Sequence, residues 1–169
     1  KWYDRFVDPF YEKLAARYRV LKLELATGTK KEKAERVVGT VYADQSAFKD
    51  HFYYRSKVSP AAKLSSANVF EKICPVTGIK FEAAKADSAF REVLYYRDLF
   101  REVFKRIHPR FVFFKCYYEH DSFGLILAAK EAGIITVDIQ HGKQGISHPM
   151  YTHYTRIPDN GYELLPHFF

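Results

Sequence analysis

Cysteine is scarce in this chain, and its scarcity excludes functions that depend on clustered thiols. The two cysteines, Cys74 and Cys116, form no Cys-x-x-Cys pair and no cluster with histidine, so the sequence supports neither a metal site nor a disulfide framework. A reducing compartment is the expected environment for such a chain. Long apolar runs are also missing, and no segment approaches the length that a membrane-spanning helix needs.

The chain also lacks an uninterrupted run of one charge, although it is basic overall. Its 27 Lys and Arg exceed its 20 Asp and Glu, and the net charge of +7 attracts anions such as nucleic acid, acidic lipid headgroups and phosphorylated substrates. The densest basic segment mixes signs, because Lys30, Lys31 and Lys33 alternate with Glu32 and Glu35. A nucleic-acid partner is therefore not expected, and charge alone does not select among the other anions.

What the chain does have is enough apolar material for one folded domain and a surplus of aromatic side chains. Its 169 residues are 47% hydrophobic, which suits a globular core. Aromatic residues make up 17%; most are expected in the core, while a surplus of Tyr also suits surfaces on which sugars stack. Because the chain starts at Lys1 and has a single Met, at position 150, we expect residues 1–169 to be one domain of a longer protein.

The N-terminal half carries weak helix and strand patterns. Apolar residues at helical spacing predict a helix within residues 2–17 that starts near Asp8. Alternating apolar and charged residues predict a strand over residues 18–26. Weaker patterns predict a short strand and two helices, over residues 39–42, 46–54 and 65–73.

A long amphipathic helix and a buried strand are predicted from residue 81 onward. The apolar face of the helix is formed by Phe90, Val93, Leu94, Phe100, Phe104 and Ile107. His108 and Pro109 end this helix, because the residue before a proline avoids helical dihedral angles. The nearly continuous apolar run of residues 110–118 predicts a strand that is covered on both faces.

A second helix and strand complete a βαβ unit. The interior of the helix is residues 123–132, with Asp121 or Ser122 as its cap and Gly133 just beyond its end. The β-branched residues 134–139 follow as a strand. Strand, helix and strand in this order predict an α/β fold with parallel pairing and a right-handed crossover.

Two loops follow the carboxyl ends of these strands, where ligands of open α/β sheets bind: residues 117–121, and the loop that begins at Gln140. His141 follows the buried strand directly, and an imidazole placed there can act as a general base near neutral pH. Gly142 and Gly145 allow backbone conformations, or a close approach to a ligand, that other residues do not. The alternative is a loop histidine hydrogen-bonded to the main chain.

Three charged residues have more than one interpretation. Asp138 lies in the predicted buried strand, so it needs a partner or a raised pKa, and it either orients His141 or caps a neighbouring loop. Arg97 falls on the apolar face of the long helix, where it pairs with Asp138 or Glu119, binds phosphate, or extends to solvent. Glu119 is a candidate for binding a sugar hydroxyl or for a second acid–base role.

Residues 137–151 (VDIQHGKQGISHPMY) resemble the Gln-His-Gly segment of bacterial capsule and O-antigen glycosyltransferases of the two-domain GT-B type. In that family an acidic and an apolar residue precede Gln-His-Gly, and His-Pro and Tyr follow it. Residues 164–169 are similar to the segment before the second domain, and residues 2–14 and the spacing of the last βαβ unit are also similar. The likeness covers the C-terminal third well and the rest loosely. Asp138 stands where the family often has Glu.

The resemblance implies a Rossmann-like parallel sheet with flanking helices, which is the acceptor-side half of a GT-B-type enzyme. It implies transfer of a sugar from a nucleotide sugar, held by a second domain, to a hydroxyl of a glycan or lipid-linked glycan acceptor. No cofactor is expected. A cytoplasmic protein in peripheral contact with the inner face of the membrane is implied. Alone, the chain is expected to bind a nucleotide sugar weakly and to turn over nothing.

The resemblance also assigns roles to residues. The segment is similar to the His-Gly segment of CDP-glycerol glycerophosphotransferases, whose histidine activates an acceptor hydroxyl, so His141 is the candidate base. The catalytic candidates are His141, Asp138 and Glu119. The candidate substrate-binding residues are Gln140, Gly142, Lys143, Gly145, His148, Tyr151 and Arg97. The alternatives are glycerol- or ribitol-phosphate transfer of the teichoic-acid type, and a non-catalytic anion- or RNA-binding α/β module.

Overall fold

A computed structural model of the chain describes residues 4–26, 40–44, 72, 75–76, 78, 82–142, 147–152, 158–159 and 161–169. The chain divides into two compact units, Lys1–Tyr53 and Tyr54–Phe169. Both units combine helix with a parallel pair of strands, so the described residues form a mixed α/β fold. Among them, no helix is long and apolar enough to cross a membrane. The single Rossmann-like domain over residues 1–169 stays a prediction.

The first unit contains helix α1 (Asp8–Ala15) and the parallel strands β1 (Lys22–Ala26) and β2 (Thr40–Asp44). α1 begins as predicted, with a proline in its first turn, where the fixed φ suits a helix and the missing N–H is not needed. β1 occupies only the end of the segment 18–26, and β2 overlaps the strand predicted over residues 39–42. The helices predicted over residues 46–54 and 65–73 lie for the most part outside the described residues.

A buried ion cluster joins α1 to β1. The Lys22 ammonium pairs with the carboxylates of Asp8 and Glu24, the latter at 2.5 Å, and the side chains of Lys22 and Asp8 are 6% and 1% exposed. Burial by itself lowers the pKa of Lys22, but the hydrogen bonds to the two carboxylates and their charges outweigh it, so this pKa is raised above 10.5. The charge alternation that predicted β1 gave no sign that its lysine is buried.

Replacing Lys22 with Met is expected to leave Asp8 as a buried carboxylate without its cation. Breaking such a pair costs about 3–5 kcal/mol of unfolding free energy, which urea denaturation measures. The folded-state pKa of Lys22 is raised above 10.5. The stabilisation that the charged lysine gives the fold is therefore complete below pH 10.5, and it is lost as the pH rises through the raised value. Lys105→Met is the control, because its ion pair with Glu102 is exposed. Equal losses in the two variants would contradict the argument from burial.

The second unit contains α2 (Ala83–Ile107), β3 (Phe111–Phe114), α3 (His120–Glu131) and β4 (Ile135–Asp138). α2 ends at Ile107, as the proline at position 109 predicted, and His108 closes the helix in the left-handed conformation, at φ 46°. α3 ends in a turn that also requires a left-handed residue. This is Gly133, at φ 68°, whose N–H donates to Lys130 O at 3.1 Å, so the predicted helix end is confirmed.

The start of α3 differs from the prediction that Asp121 or Ser122 caps it. The helix begins at His120, and Glu119 occupies the N-cap position without a capping hydrogen bond from its side chain. Asp121 lies inside the first turn, where Oδ1 accepts a hydrogen bond from Ser122 N–H at 2.7 Å. An acidic side chain stabilises a helix both at the N-cap and within the first turn. The position of Asp121 alone therefore does not distinguish the two, and the predicted start of α3 was too late.

The core of the second unit lies between α2 and α3. The buried apolar residues of these helices are Val93, Leu94, Phe100, Phe104, Leu125, Ile126, Ala128 and Ala129. The helices approach each other closely at Gly124, where an added Cβ atom would clash with Tyr96 Cβ and lie 2.6 Å from Arg97 N and 2.7 Å from Val93 O. Glycine is therefore required here, because the backbone of α2 occupies the space of a side chain.

Gly124→Ala is expected to push α2 and α3 apart. Overpacking a core costs about 1–3 kcal/mol, and the upper part of this range is expected because main-chain atoms cannot rotate away as a side chain can. A thermal unfolding curve measures the loss, with Ser88→Ala at an exposed position of α2 as the control. An unchanged melting temperature for Gly124→Ala would contradict the close approach of the two helices.

β3 and β4 pair in parallel, as the strand–helix–strand order predicted, with Phe114 opposite Asp138 at their carboxyl ends. A third segment borders β4, because Phe168 N–H donates to Thr136 O at 3.2 Å and Asp138 N–H donates to Phe168 O at 2.9 Å. The residues that follow β3 and β4 therefore leave the sheet at one edge. The handedness of the crossover and a Rossmann-like sheet beyond these strands stay predictions.

β3 is not covered on both faces, so that prediction was wrong. Phe111 and Phe113 share one face of the strand and are 50% and 38% exposed. Their rings lie 6.2 Å apart and nearly parallel. A continuous apolar run indicates a strand, but it does not say which faces the rest of the chain covers.

Candidate functional site

The candidate site lies where the carboxyl ends of β3 and β4 meet. Because Phe114 is opposite Asp138, residues 115–118 and 139–142 leave the sheet side by side. The main chain stays paired one residue further, since Ile139 N–H donates to Phe114 O at 2.6 Å. This is the edge at which the βαβ order predicts a ligand site.

His141 contacts side chains of the loop that follows β3. Its half-buried ring places Nε2 3.0 Å from Cys116 Sγ and 3.4 Å from Tyr118 Oη. The other ring nitrogen, Nδ1, is buried and has no hydrogen-bond partner among the described residues. The alternative of a loop histidine tied to the main chain is therefore wrong, because the neighbours of the ring are a thiol and a phenol.

Asp138 is a buried carboxylate with one paired and one unpaired oxygen. The residue is 1% exposed, and Oδ2 accepts a hydrogen bond from Tyr151 Oη at 2.7 Å. Oδ1 is buried without a partner in the part of the chain that the structure describes. Burial raises the pKa of Asp138, while the hydrogen bond from Tyr151, the electrostatic influence of His141 and main-chain hydrogen bonds from Tyr117 and Cys116 oppose the rise. The sequence predicted either a partner or a raised pKa, and the structure has both.

Tyr151 reaches this carboxylate because residues 147–152 fold back against the edge of the sheet. Tyr151 N–H donates to His148 O at 3.1 Å, and the two rings lie 4.9 Å apart, edge to face. Tyr117 Oη donates to the main-chain oxygen of Met150. The predicted binding residue Tyr151 is thereby held against Asp138, and the predicted binding residue His148 packs on the ring of Tyr151.

Four aromatic side chains pack against one another at the site, and we call Tyr117, Tyr118, Tyr151 and Phe169 the aromatic wall. Tyr117 is its centre: it is 2% exposed, and its ring lies 5.4 Å from each of the other three. All three contacts are edge to face, a geometry that contributes about 0.5–1.5 kcal/mol a pair beyond the area buried. The wall connects both strand-end loops to the C-terminal segment.

Cys116 is the residue of the site that sequence reasoning missed. Its φ of 61° lies in the left-handed region, which a residue other than glycine enters at a cost of about 1–3 kcal/mol. Burial raises the pKa of the Cys116 thiol, so the thiol keeps its hydrogen near neutral pH. The predicted parallel pairing of β3 and β4 could have indicated Cys116. Parallel strands that end together bring the residues that follow one strand beside the residues that follow the other.

Other predicted residues lie beside the site without joining it. Glu119 is exposed at the N-cap of α3, and Gln140 is exposed with its Nε2 donating to Gly142 O at 3.1 Å. An added Cβ atom at Gly142 would meet nothing within 4 Å, so packing does not require glycine there. The structure thus brings together Asp138, His141, His148 and Tyr151 and leaves Glu119 and Gln140 in solvent.

Arg97 pairs within its own helix. Its Nε and Nη2 atoms bind Asp98 Oδ1 at 3.0 Å and 2.8 Å, and both side chains are 27% exposed. The predicted pairing with Asp138 or Glu119 was therefore wrong. The helical pattern placed the main chain of Arg97 at the apolar face correctly, because its amide faces Gly124 of α3. The side chain leaves that face and turns to the neighbouring carboxylate.

Lys143 and Gly145 lie outside the described residues. Within the described ranges, no group of three or more His, Cys, Asp or Glu is placed to hold a metal ion. No model of a protein family matches this chain, and no curated protein and no solved structure matches it either.

Asp138→Asn is expected to leave the fold as stable as the wild type at neutral pH, or to stabilise it. Asn keeps an oxygen acceptor for Tyr151 and removes the charge that burial disfavours. In the wild type the penalty for ionising this buried group grows as the pH rises from 3.8 through its raised pKa, so the advantage of the variant appears across that window. Chemical denaturation on both sides of the window measures it.

Tyr151→Phe is the matched control, and the opposite result is expected for it. This variant keeps the carboxylate of Asp138 but removes the side-chain donor to Oδ2, which costs about 1–3 kcal/mol at a buried acceptor. If Asp138→Asn were the less stable variant of the two at neutral pH, the carboxylate would be fully compensated in the fold, contrary to the unpaired oxygen.

Proposed function

We propose that this chain is the acceptor-side part of a glycosyltransferase of bacterial surface polysaccharide synthesis, with the Rossmann-like fold of a GT-B-type enzyme. It transfers a sugar from a nucleotide sugar to a hydroxyl of a glycan or lipid-linked glycan. One observation carries the proposal. Asp138 Oδ1 and His141 Nδ1, at the carboxyl end of β4, are both buried and both lack a partner among the residues described.

Unpaired polar atoms in a protein interior point to a ligand, because folding alone gives no reason to keep them. Leaving a buried donor or acceptor unpaired costs about 1–3 kcal/mol. Buried groups with shifted pKa values concentrate at functional sites, and the pKa of Asp138 is raised. Carboxylates and imidazoles are also the groups that most often move protons in enzymes. The pair therefore supports a site where a hydroxyl binds and loses its proton.

The surroundings of the pair suit a sugar. Tyr118 is half-buried, and its ring lies 6.3 Å from the ring of His141 and 5.8 Å from that of His148. A tyrosine ring has an apolar face and a polar edge, which match the C–H and O–H groups of a pyranose. The net charge of +7 favours a phosphorylated donor.

The reaction also needs a site for the nucleotide of the donor, which we assign to a further domain of the full-length protein. In this arrangement the chain alone binds a nucleotide sugar weakly, and it uses no cofactor. A lipid-linked acceptor places the enzyme in the cytoplasm, in peripheral contact with the inner face of the membrane, where a basic protein is attracted to anionic lipid.

In the full-length protein, His141→Ala and Asp138→Asn are each expected to lower kcat by about 10²–10⁴-fold. One of the two groups takes the proton of the acceptor and the other fixes the hydroxyl, and losses of this size are typical of general bases and of donors at a reacting oxygen. The measurement is transfer of labelled sugar, from a panel of nucleotide sugars, to lipid-linked acceptors extracted from the producing cells.

His120→Ala is the matched control, because His120 is an exposed histidine paired with Glu92 at 3.0 Å. It is expected to react at the rate of the wild type. Transfer from CDP-glycerol, with every nucleotide sugar inactive, would replace the proposal by the teichoic-acid alternative. Salt-sensitive nucleic-acid binding without turnover, unchanged by His141→Ala, would replace it by a non-catalytic binding module.

A further inference from the structure

We propose that His167 attaches the C-terminal segment, residues 164–169, to β4 only while its imidazole is uncharged, and that a proton on this ring releases the segment. The inference does not rest on the proposed function, because it concerns how the segment is held and not which reaction the site performs. It makes His167 a pH-sensitive attachment point next to the candidate site.

The attachment consists of hydrogen bonds between two residues. Thr136 N–H donates to His167 Nδ1 at 3.1 Å, and Thr136 Oγ1 lies 2.8 Å from the same nitrogen. In return, His167 N–H donates to Thr136 O and to Thr136 Oγ1, each at 3.1 Å. Thr136 is 0% exposed, whereas His167 is at the surface. A buried residue of β4 is thus bound by an imidazole that solvent reaches.

The main-chain donor determines the chemical state of the imidazole. An amide N–H can only donate, so the ring nitrogen that it points to must carry a lone pair. His167 is therefore neutral while the segment is attached, with its hydrogen on Nε2. The hydroxyl of Thr136 is compatible with this state, because it accepts from His167 N–H and can donate its own hydrogen to Nδ1.

The amide of Thr136 cannot turn away from a charged ring, because the sheet sets its direction. The N–H groups of Ile135 and Ile139 are donated on the side of β3. Those of Thr136 and Asp138 are donated on the other side, to the C-terminal segment. The acceptor for Asp138 is the main-chain oxygen of Phe168, which does not titrate, whereas the acceptor for Thr136 does. A proton on Nδ1 would set one N–H against another and leave the buried amide of Thr136 unpaired.

Release of the segment changes the candidate site. Phe168 O accepts from Asp138 N–H at 2.9 Å. The Phe169 ring lies 5.4 Å from that of Tyr117 and 5.7 Å from that of Tyr151. These contacts are lost together when the segment leaves β4. The proton on the imidazole therefore acts on the main chain at Asp138 and on the aromatic wall at once.

Other ionisable groups lie on the elements around the segment, but none of them binds the imidazole. In the described part of the chain, His167 forms its side-chain hydrogen bonds with Thr136 and no ion pair. The chain before the segment is held separately, since Lys130 Nζ of α3 donates to Tyr162 O at 2.7 Å. The ionisable side chains of the elements that contact the segment are those of Asp138 on β4, Lys130 on α3, Tyr117 and Tyr151 in the aromatic wall, and Glu163 just before the segment.

The pH dependence follows from which form takes up the proton. Histidine in peptides binds a proton near pH 6.5, as a rough reference value, whereas the attached ring has no free lone pair on Nδ1. Lowering the pH therefore favours the released form, by at most about tenfold for each pH unit below that value. From pH 7.5 to pH 5.5 the attachment equilibrium is expected to weaken about tenfold in all.

Nitrogen-15 NMR of the 169-residue chain at about pH 7.5, where histidine in peptides is largely neutral, tests the state of the ring. A ring nitrogen that carries hydrogen resonates far from one that does not, and the signals of His167 are those missing from His167→Asn. We expect hydrogen on Nε2 and a bare Nδ1. Hydrogen on Nδ1, or a mixture of both tautomers, overturns the proposal.

Amide hydrogen exchange at Thr136 and Asp138 tests the release, with protection expressed relative to an unstructured chain at the same pH. In the wild type, protection of both amides is expected to fall about tenfold from pH 7.5 to pH 5.5. His167→Asn keeps an acceptor oxygen in the position of Nδ1 but does not titrate, so its protection is expected to change by less than about twofold. His120→Ala is the control, because it removes an exposed histidine paired with Glu92, and it is expected to behave as the wild type.

Three results would contradict the proposal. Constant protection in the wild type would show that a proton does not release the segment. The same fall in His167→Asn would assign the pH dependence to another group. Wild-type protection in His167→Ala at the higher pH would show that the imidazole does not hold the segment. These measurements use no substrate, so their outcome and that of the transfer assay are independent.

Discussion

Strands β3 and β4 run parallel and end in register, with Phe114 opposite Asp138, and the arrangement of the site depends on that register. It places the loop of Cys116 and Tyr118 against the loop of His141. Side chains of a strand alternate between its faces, so a shift of the register by one residue would turn the buried Asp138 to the opposite face. The hydrogen bonds from Ile139 to Phe114 and from Asp138 to Phe168 border β4 on both edges and oppose such a shift.

A buried carboxylate has a cation as its partner in the first unit and a tyrosine hydroxyl in the second. In the first unit, Lys22 and Asp8 neutralise each other and the cluster is a structural clamp between α1 and β1. In the second unit, Asp138 keeps one oxygen unpaired in the described residues, and the neighbouring Cys116 holds a left-handed backbone. An unpaired buried atom and a left-handed backbone each cost stability. When such costs occur together at one site, they are typical of positions that selection retains for function.

The sequence predicted best where a local rule decides the structure. Pro109 marked the end of α2, Gly133 marked the end of α3, and the β-branched run marked β4. These signals act through backbone dihedral angles that a few residues determine, and parallel pairing then located the edge that holds the site. The helix start at His120 was missed by the same means, because several acidic or hydroxyl residues in succession can each stabilise a first turn.

Prediction failed where the answer lies in tertiary contacts. Whether β3 is covered depends on what the rest of the chain places against Phe111 and Phe113, and an apolar run carries no information about that. The partner of Arg97 depended on a rotamer, which sequence spacing does not specify. Cys116 was missed because its contact with a histidine of another loop follows only from the pairing of β3 with β4.

The C-terminal segment has a consequence for the order in which the protein assembles. Phe168 supplies the acceptor for Asp138 N–H, and the ring of Phe169 packs against Tyr117 and Tyr151. On the ribosome, β3, α3 and β4 are translated before these two phenylalanines. A nascent chain can therefore pair its strands early, yet its carboxylate is not fixed until residue 169 has left the exit tunnel. The surroundings of Asp138 are therefore among the last parts of the second unit to form during synthesis.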